Sequence, residues 1–308
     1  MTTEPDATPR TGRREFLTRL SAATAAGLAA PQGAPAAELL PAIPLGPHRV
    51  TRLVAGANPI AGYSYLGNHM DQHMKEYFTV ERAVEFLQNC ENQGINCHQF
   101  SMSDKSVEIL RAARERGSKL HFIGLHSGRE GVKDMVAATR PIGVAHHGGV
   151  TDRLFASGKA QEVQDYVKAV HDQGILAGVS AHNPECIQRI ADEGWEVDYF
   201  MTCFYHITRK KDPAEKGPAT LPIGYQFYAD DPVAMTGVVR QVKQTCFGFK
   251  ILGAGRKCAS QEMVRQAFKF AFENIKPGDG VIVGMYPRFM DEVAANARYT
   301  RQFASREP

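Results

Sequence analysis

The 308-residue sequence lacks the features that would place it in several common classes of protein. Its formal net charge is +3, from 36 basic and 33 acidic residues, which is too small for binding nucleic acid through charge. It has a single tryptophan and no CxxC pair among its six cysteines. Apolar residues make up 43% and charged residues 22% of the chain, so a disordered or fibrous protein is excluded. We therefore expect a globular protein with a sizeable core and no nucleic-acid partner.

Long apolar runs are also scarce. Residues 20–30 are mildly apolar but short and rich in alanine, so we expect no stable insertion in a membrane. This stretch follows adjacent Arg13 and Arg14 and precedes the small-x-small pattern of residues 34–36. Such a combination is typical of a bacterial export signal, and the paired arginines resemble its Tat class. We predict that residues 1–36 are a signal read by the Tat export machinery; a disordered basic tail is the alternative.

Export would place the remaining chain in the periplasm or outside the cell, where cysteines usually form disulfides. Here the cysteines lie mostly within apolar periodic segments, and Cys is among the residues most often buried as a free thiol. We therefore expect buried free thiols at most of these positions: Cys90, Cys97, Cys186, Cys203, Cys246 and Cys258.

Short apolar runs alternate with amphipathic segments beyond residue 47. The predicted strands are residues 52–56, 95–100, 120–125, 142–145, 175–180, 197–205, 247–252 and 281–285. Helices between them carry capping residues such as Thr79 and Ser103 and end at glycines such as Gly94. This alternation without a linker predicts one α/β domain over residues 37–308, a (β/α)₈ TIM barrel. An open doubly wound sheet is the alternative, but no GxGxxG follows the first strand.

Five short motifs occur in a fixed order. They are RLVAGANPIAG at residues 52–62, QGIN at 93–96, GVSAH at 178–182, KILGAG at 250–255, and VGM at 283–285 with Asn296 downstream. In this order they resemble the aldo-keto reductase superfamily. The resemblance implies an NADP(H) site near Ser180, Gly253, Gly255 and Arg288, although Ala181 replaces the asparagine that holds the nicotinamide amide.

The catalytic tetrad of that superfamily, Asp-Tyr-Lys-His, is not preserved. Gln99 stands in place of the aspartate, residues 103–105 contain no tyrosine, and the lysine position falls at or beside His126. Only the histidine remains, as His146 or His147. Ordinary carbonyl reduction through the tyrosine acid of the superfamily is therefore not expected.

Histidines instead follow the predicted strands, at the end of a barrel where active sites gather. The resemblance implies inward positions for Gln99 and Ser180. Strand parity then directs His98 toward the helices and His182 to the inward face of Ser180. Imidazoles that converge on one point suit Zn²⁺, Mn²⁺ or Fe²⁺. The predicted metal ligands are His126, His146 or His147, His182 and His206. A metal-free acid–base cluster and hydrogen-bonded structural histidines are the alternatives.

Three further residues are candidates for catalysis beside the histidines: Lys250, Tyr205 and Gln99. Lys250 could bind a substrate oxygen, form a Schiff base, or be a salt-bridged lysine at the rim. Residues 209–212 lie in a predicted loop of about 25 residues. We expect them to form a solvated turn; the alternative is that their basic side chains favour an anionic or hydroxyl-rich ligand.

We predict an exported metal-dependent enzyme of the hydrolase, lyase or isomerase class, acting on a small polar substrate such as a carbohydrate. An NADP(H)-dependent oxidoreductase with a rearranged site is the first alternative. A non-catalytic binding barrel is the second.

Overall fold

The computed structural model describes residues 38–209 and 227–305. The predicted signal at residues 1–36 and most of the long loop lie outside the described residues, so both stay predictions. In chain order the strands are β1 (Ala42–Leu45), β2 (His48–Thr51), β3 (Leu53–Gly56), β4 (Cys97–Ser101), β5 (His121–His126), β6 (Gly143–His146), β7 (Leu176–Ala181), β8 (Tyr199–Cys203), β9 (Thr245–Phe249) and β10 (Gly280–Gly284).

Strands β3 to β10 form one closed barrel, and each pairs in parallel with its neighbours. The order around the barrel is β10-β3-β4-β5-β6-β7-β8-β9, so the last strand closes on the first. The predicted (β/α)₈ barrel is confirmed, and the open doubly wound sheet is wrong.

Helices connect the strands on the outside of the barrel. They are α1 (Asn58–Ala61), α2 (Asn68–Tyr77), α3 (Val80–Asn92), α4 (Asp104–Glu115), α5 (Val132–Thr139), α6 (Gly148–Ala156), α7 (Ala160–His171), α8 (Pro184–Asp192), α9 (Asp231–Val239), α10 (Gln261–Asn274) and α11 (Glu292–Ala304). Helix α3 illustrates why they form where they do. The Thr79 hydroxyl accepts a hydrogen bond from the backbone N–H of Arg82, which caps the helix, and Val84 and Leu87 bury its inner face.

The interior of the barrel is a separate apolar layer that the β1–β2 hairpin completes. The hairpin side chains Ile43, Leu45 and Val50 pack in one cluster with barrel side chains such as Cys97 and Tyr199. The hairpin therefore fills the amino-terminal end of the barrel. The loops that follow the strands meet at the opposite end, which is where (β/α)₈ enzymes place their sites.

Several elements differ from the prediction. The hairpin and helices α2, α6 and α9 were not expected, and α2 carries His69 and His73. Helices α2 and α6 begin at or beside glycines and lack a side-chain cap at their first turn, so the usual start signal is missing. Asn58 and Pro59 begin the short helix α1 directly after β3.

All six cysteines are free thiols, and five of them are buried, as expected; Cys258 is exposed. Among residues 38–209 and 227–305, no helix combines the length and the apolar character that crossing a bilayer requires.

Candidate active site

A buried Asp152–His182 pair lies at the carboxyl-terminal end of the barrel. His182 follows β7 directly, and Asp152 projects from α6. The His182 Nδ1–H donates to Asp152 Oδ2 over 3.0 Å, and the same carboxylate accepts the backbone N–H of His182 and of Asn183 and the Thr208 hydroxyl. Both side chains are only 6% exposed. The aspartate therefore fixes the orientation and the tautomer of the imidazole.

The charges of this pair follow from its surroundings. Burial lowers the pKa of His182 to about 4, because it outweighs the hydrogen bond to Asp152, which raises the pKa. Burial raises the pKa of Asp152, but the hydrogen bonds from His182 and Thr208 lower it by more, so its net shift is downward. At neutral pH the aspartate is ionised and His182 is neutral. Its Nε2 then carries a lone pair that can accept a proton.

Lys250 faces that lone pair. The Lys250 Nζ lies 3.5 Å from His182 Nε2, at hydrogen-bonding distance. It also lies over the ring of Tyr65 at 4.9 Å and over the ring of Phe249 at 4.6 Å. Lys250 follows β9 and has a φ of +56°, a left-handed conformation that is uncommon outside glycine. The turn that follows β9 thus points the amine at the imidazole.

The amino terminus of α6 packs directly against this pair. A Cβ at Gly148 would lie 2.8 Å from Ser180 Oγ and 3.1 Å from His182 Cε1, so only glycine fits there. The preceding His147 is part-buried, and its Nδ1 is a buried atom without a hydrogen-bond partner in the described structure. Burial and the nearby charge of Lys250 lower the pKa of His147. A second neutral imidazole therefore lies beside the pair.

Two other predicted metal ligands are held by contacts elsewhere. His146 turns toward the helices, where its Nδ1 lies 2.7 Å from Thr151 Oγ1 and its ring contacts Tyr166 edge-on. His126 lies next to Gly131, and its Nδ1 is 2.8 Å from the Gly128 carbonyl oxygen.

His206, the last predicted ligand, is half-buried. Its backbone N–H donates to Asp231, which also pairs with Arg209. Across residues 38–209 and 227–305, no group of three or more His, Cys, Asp or Glu side chains is arranged to hold a metal ion. The described part of the chain thus brings His147 and His182 together and holds His126 and His146 in other contacts, while the charge of Asp152 also acts on the His206 ring.

Two of the predicted catalytic residues are held by other contacts. The Gln99 side chain is buried, and its amide donates to the Phe100 carbonyl oxygen over 3.0 Å. Tyr205 is fully buried, with Phe227 and the Arg256 guanidinium packed on its ring. Only Lys250, of the three candidates, contacts the Asp152–His182 pair.

The residues expected at a nucleotide site are in varied surroundings. Ser180 is 1% exposed and lies beside Gly148. The positions where side chains would project from Gly253 and Gly255 face Phe227 and Leu66.

Arg288 is exposed and lies over the ring of Tyr77, and the Ala181 methyl group is buried in the helix-facing layer. Ala181 therefore offers no polar atom for the nicotinamide amide, whereas Ser180 lies beside His182 at the end of the barrel.

Sequence reasoning missed three residues of this site. Asp152 lies on α6, which was not predicted, and Thr208 lies in the long loop after β8. No local pattern marks Asp152, since its role depends on a partner 30 residues away. Tyr65, whose ring contacts the Lys250 amine, was missed for the same reason.

The sequence matches no family model, and no curated protein matches it. Solved structures with a similar fold include the glycerol dehydrogenase AKR11B4 from Gluconobacter oxydans, with 10% identity, 87% of this chain and 90% of that chain covered, and a TM-score of 0.53. The NADPH complex of a Gox0644 mutant has 11% identity, 86% and 94% coverage, and a TM-score of 0.51.

A third similar structure is a truncated 3-deoxy-D-arabino-heptulosonate 7-phosphate synthase from Thermotoga maritima. It has 12% identity, 86% and 90% coverage, and a TM-score of 0.50. At this level of identity, the similarities establish a fold that these enzymes share with the chain. They leave its substrate and its reaction to be inferred from the site.

Proposed function

We propose that the chain is an enzyme of the lyase or isomerase class that moves a proton at a carbon next to the carbonyl group of a small polar substrate. The observation that carries this proposal is the Asp152–His182 pair, whose free Nε2 lies 3.5 Å from the Lys250 Nζ at the open end of the barrel. A base and a cation this close together can contact adjacent atoms of one substrate.

In this reaction Asp152, His182 and Lys250 each have a separate role. His182 Nε2 accepts a proton from carbon, and the ionised Asp152 stabilises the imidazolium that forms. Negative charge then develops on the carbonyl oxygen, where Lys250 stabilises it. Tyr65 and Phe249 flank the Lys250 amine and limit its contact with water.

The contacts of the predicted ligands support a metal-dependent hydrolase, lyase or isomerase less well than they support a metal-free enzyme. His147 and His182 are the two predicted ligands near Lys250, whereas His126 and His146 make contacts elsewhere. We therefore expect turnover to be unaffected by a chelator. Elemental analysis that found a bound transition metal, together with loss of turnover on chelation, would favour the metal-dependent enzyme instead.

Hydrogen exchange tests the proposal. In D₂O, the wild-type protein should catalyse exchange of the carbon-bound protons beside the carbonyl of dihydroxyacetone or glyceraldehyde, followed by proton NMR. His182→Gln and Asp152→Asn should each lower the rate by about 100-fold or more, because one removes the base and the other its orienting carboxylate.

His146→Gln is the matched control for this experiment. His146 is 2% exposed and His182 is 5% exposed, so the two are similarly buried, but His146 faces the helices. The rate of hydrogen exchange catalysed by His146→Gln should therefore stay near that of the wild type. Equal exchange by wild type and His182→Gln would overturn the proposal.

An NADP(H)-linked oxidoreductase is the second candidate. It is supported by the fold shared with an NADPH complex and by Ser180, which the resemblance assigns to the cofactor and which lies beside His182. Binding would quench protein fluorescence on titration with NADPH, and Ser180→Ala would weaken it. No nucleotide in the denatured protein and no quenching would remove this candidate.

We also propose that residues 1–36 direct the folded chain through the Tat machinery to the periplasm or beyond. Adjacent Arg13 and Arg14 before a mildly apolar stretch support this proposal. Replacing both arginines by lysine should leave the protein in the cytoplasmic fraction. Unchanged export of that variant would contradict the proposal.

A further inference from the structure

We infer that Lys250 forms a covalent imine with the carbonyl carbon of an aldehyde or ketone substrate, with His182 carrying the protons that this step displaces. This inference rests on the proposed function, because it concerns the same site. It differs in the role of Lys250, whose amine forms a bond to the carbonyl carbon instead of stabilising the charge on the carbonyl oxygen. The ligand class is therefore a small carbonyl compound.

The surroundings of the Lys250 amine suit a nucleophile. No ion pair among the described residues involves Lys250. Among these residues, Lys250 is therefore not the salt-bridged lysine that the sequence offered as an alternative. Its polar neighbour is instead the neutral nitrogen of His182, 3.5 Å away. Aromatic rings of Tyr65 and Phe249 cover other sides of the amine. Such a setting leaves the amine facing a proton acceptor rather than a carboxylate.

The backbone holds the amine in this setting. Among residues 38–209 and 227–305, four non-glycine residues have a positive φ. Lys250 and Tyr65 are two of them, at +56° and +60°, and their side chains contact each other. Left-handed conformations of such residues cost free energy and persist where the surrounding structure requires them. Two of these rare conformations thus lie at the Lys250 amine, which contacts His182.

The chemistry balances without another reactant. The Lys250 ammonium gives a proton to His182 Nε2, and the freed amine attacks the carbonyl carbon. The electron pair of the carbonyl π bond moves to oxygen, which takes the proton back from Nε2. The nitrogen gives up a second proton through Nε2 to this hydroxyl, the C–O bond breaks, and water leaves as the C=N bond forms. An ammonium ion and a carbonyl compound thus become an iminium ion and water.

Reductive trapping tests the inference. The full chain is incubated with dihydroxyacetone or glyceraldehyde and borohydride, which reduces an imine to a stable amine, and peptide mass spectrometry locates the adduct. Lys250 should be labelled at least tenfold faster than Lys257. That lysine belongs to the same turn region and also lies near two aromatic rings, at 5.4 Å and 5.8 Å, and it is therefore the matched comparison within one molecule.

Three variants sharpen the result. Lys250→Arg keeps the charge but cannot form an imine, so it should lose the labelling at this position and the hydrogen exchange together. Lys257→Arg should behave as wild type in both assays. His182→Gln should slow the labelling of Lys250 about tenfold, since the proton acceptor is gone. Circular dichroism of each variant verifies folding.

The outcomes separate this inference from the proposed function. If Lys250 is labelled no faster than Lys257 while hydrogen exchange proceeds, or if Lys250→Arg retains exchange, the imine is overturned and the acid–base function stands. If the wild type neither exchanges protons nor labels at Lys250 with these probes, both are overturned. Selective labelling together with loss of exchange in Lys250→Arg supports the imine.

Discussion

Because Gly148 has no side chain, the start of helix α6 can pack closely against the His182 ring. At this residue the chain passes so close to Ser180 and His182 that a methyl group would lie 2.8 Å from one and 3.1 Å from the other. A methyl group at the next residue, Gly149, would meet His147 at an ordinary contact distance of 3.5 Å. Of the two adjacent glycines, only Gly148 is thus packed so closely that a side chain would displace its neighbours.

Gly148→Ala should displace His182 and lower the free energy of unfolding by about 1–3 kcal/mol, because a tightly packed position is overfilled. Hydrogen exchange catalysed by the protein should fall with it. Urea unfolding and the NMR exchange assay measure the two effects.

Gly149→Ala is the control for this variant. It places a methyl group at ordinary contact distance and replaces a poor helix residue by a good one, so it should stabilise the protein by about 0.5–1 kcal/mol. Equal effects of the two substitutions would contradict the close contact at Gly148.

Among the elements, the strands could be predicted and helix α6 could not. Strands show as short apolar runs, because a barrel strand is buried on both faces, and the alternation of such runs with helices was enough to predict the barrel. Helix α6 starts with two glycines and no capping side chain, so its helical signal is weak. With α6 unpredicted, Asp152 could not be assigned to the site.

The histidines show how strand parity limits what a sequence can say. His182 was expected to share the inward face of Ser180, and it lies at the mouth beside Lys250. His146 and His147 stand on opposite faces, and the sequence left open which one faces inward; contacts with Thr151 and Tyr166 now turn His146 outward. The orientation of a residue at the very end of a strand depends on the turn after it, which no periodicity predicts.

The first barrel strand and the last helix are joined by a single buried side chain at the other end of the barrel. Arg52, 4% exposed, donates through Nε to the Asp279 carbonyl oxygen at 2.7 Å and through its terminal nitrogens to the carbonyl oxygens of Ala304 and Lys276. These acceptors belong to the end of α11 and to the loop before β10. The guanidinium thus holds the closure of the barrel from its amino-terminal side.

Arg52→Met should lower the free energy of unfolding by about 3 kcal/mol or more, since buried carbonyl groups lose a charged donor. Arg49→Met, on the adjacent strand β2 but exposed, should change it by less than about 0.5 kcal/mol. Urea denaturation of both variants checks this pair, and similar values for the two would contradict a special role of Arg52.

For the molecule as a whole, buried neutral histidines set the response to acid. Burial is the main cause that lowers the pKa of His98, His146 and His182, each to about 4. In the unfolded chain the same side chains have a pKa near 6.5, so between these values the unfolded state binds more protons than the folded one. Their stabilising effect is therefore complete above about pH 6.5 and is lost as the pH falls toward 4.

The free energy of unfolding should accordingly fall on acidification from pH 7 to pH 4, by about 3 kcal/mol for each of these histidines. Urea unfolding at several pH values measures the decrease. His98→Gln, which removes one titrating ring on the helix-facing side, should reduce the decrease by about 3 kcal/mol. A stability that stays constant between pH 7 and pH 4 would contradict the buried neutral state.

The β1–β2 hairpin determines from which end of the barrel a small molecule can reach His182. Because Ile43, Leu45 and Val50 occupy the amino-terminal end of the barrel, nothing passes along its axis. A small molecule that reaches His182 from the far end must leave by the route through which it came. For the proposed function this means that substrate and product use the same opening, so a product must leave before the next substrate reaches the imidazole.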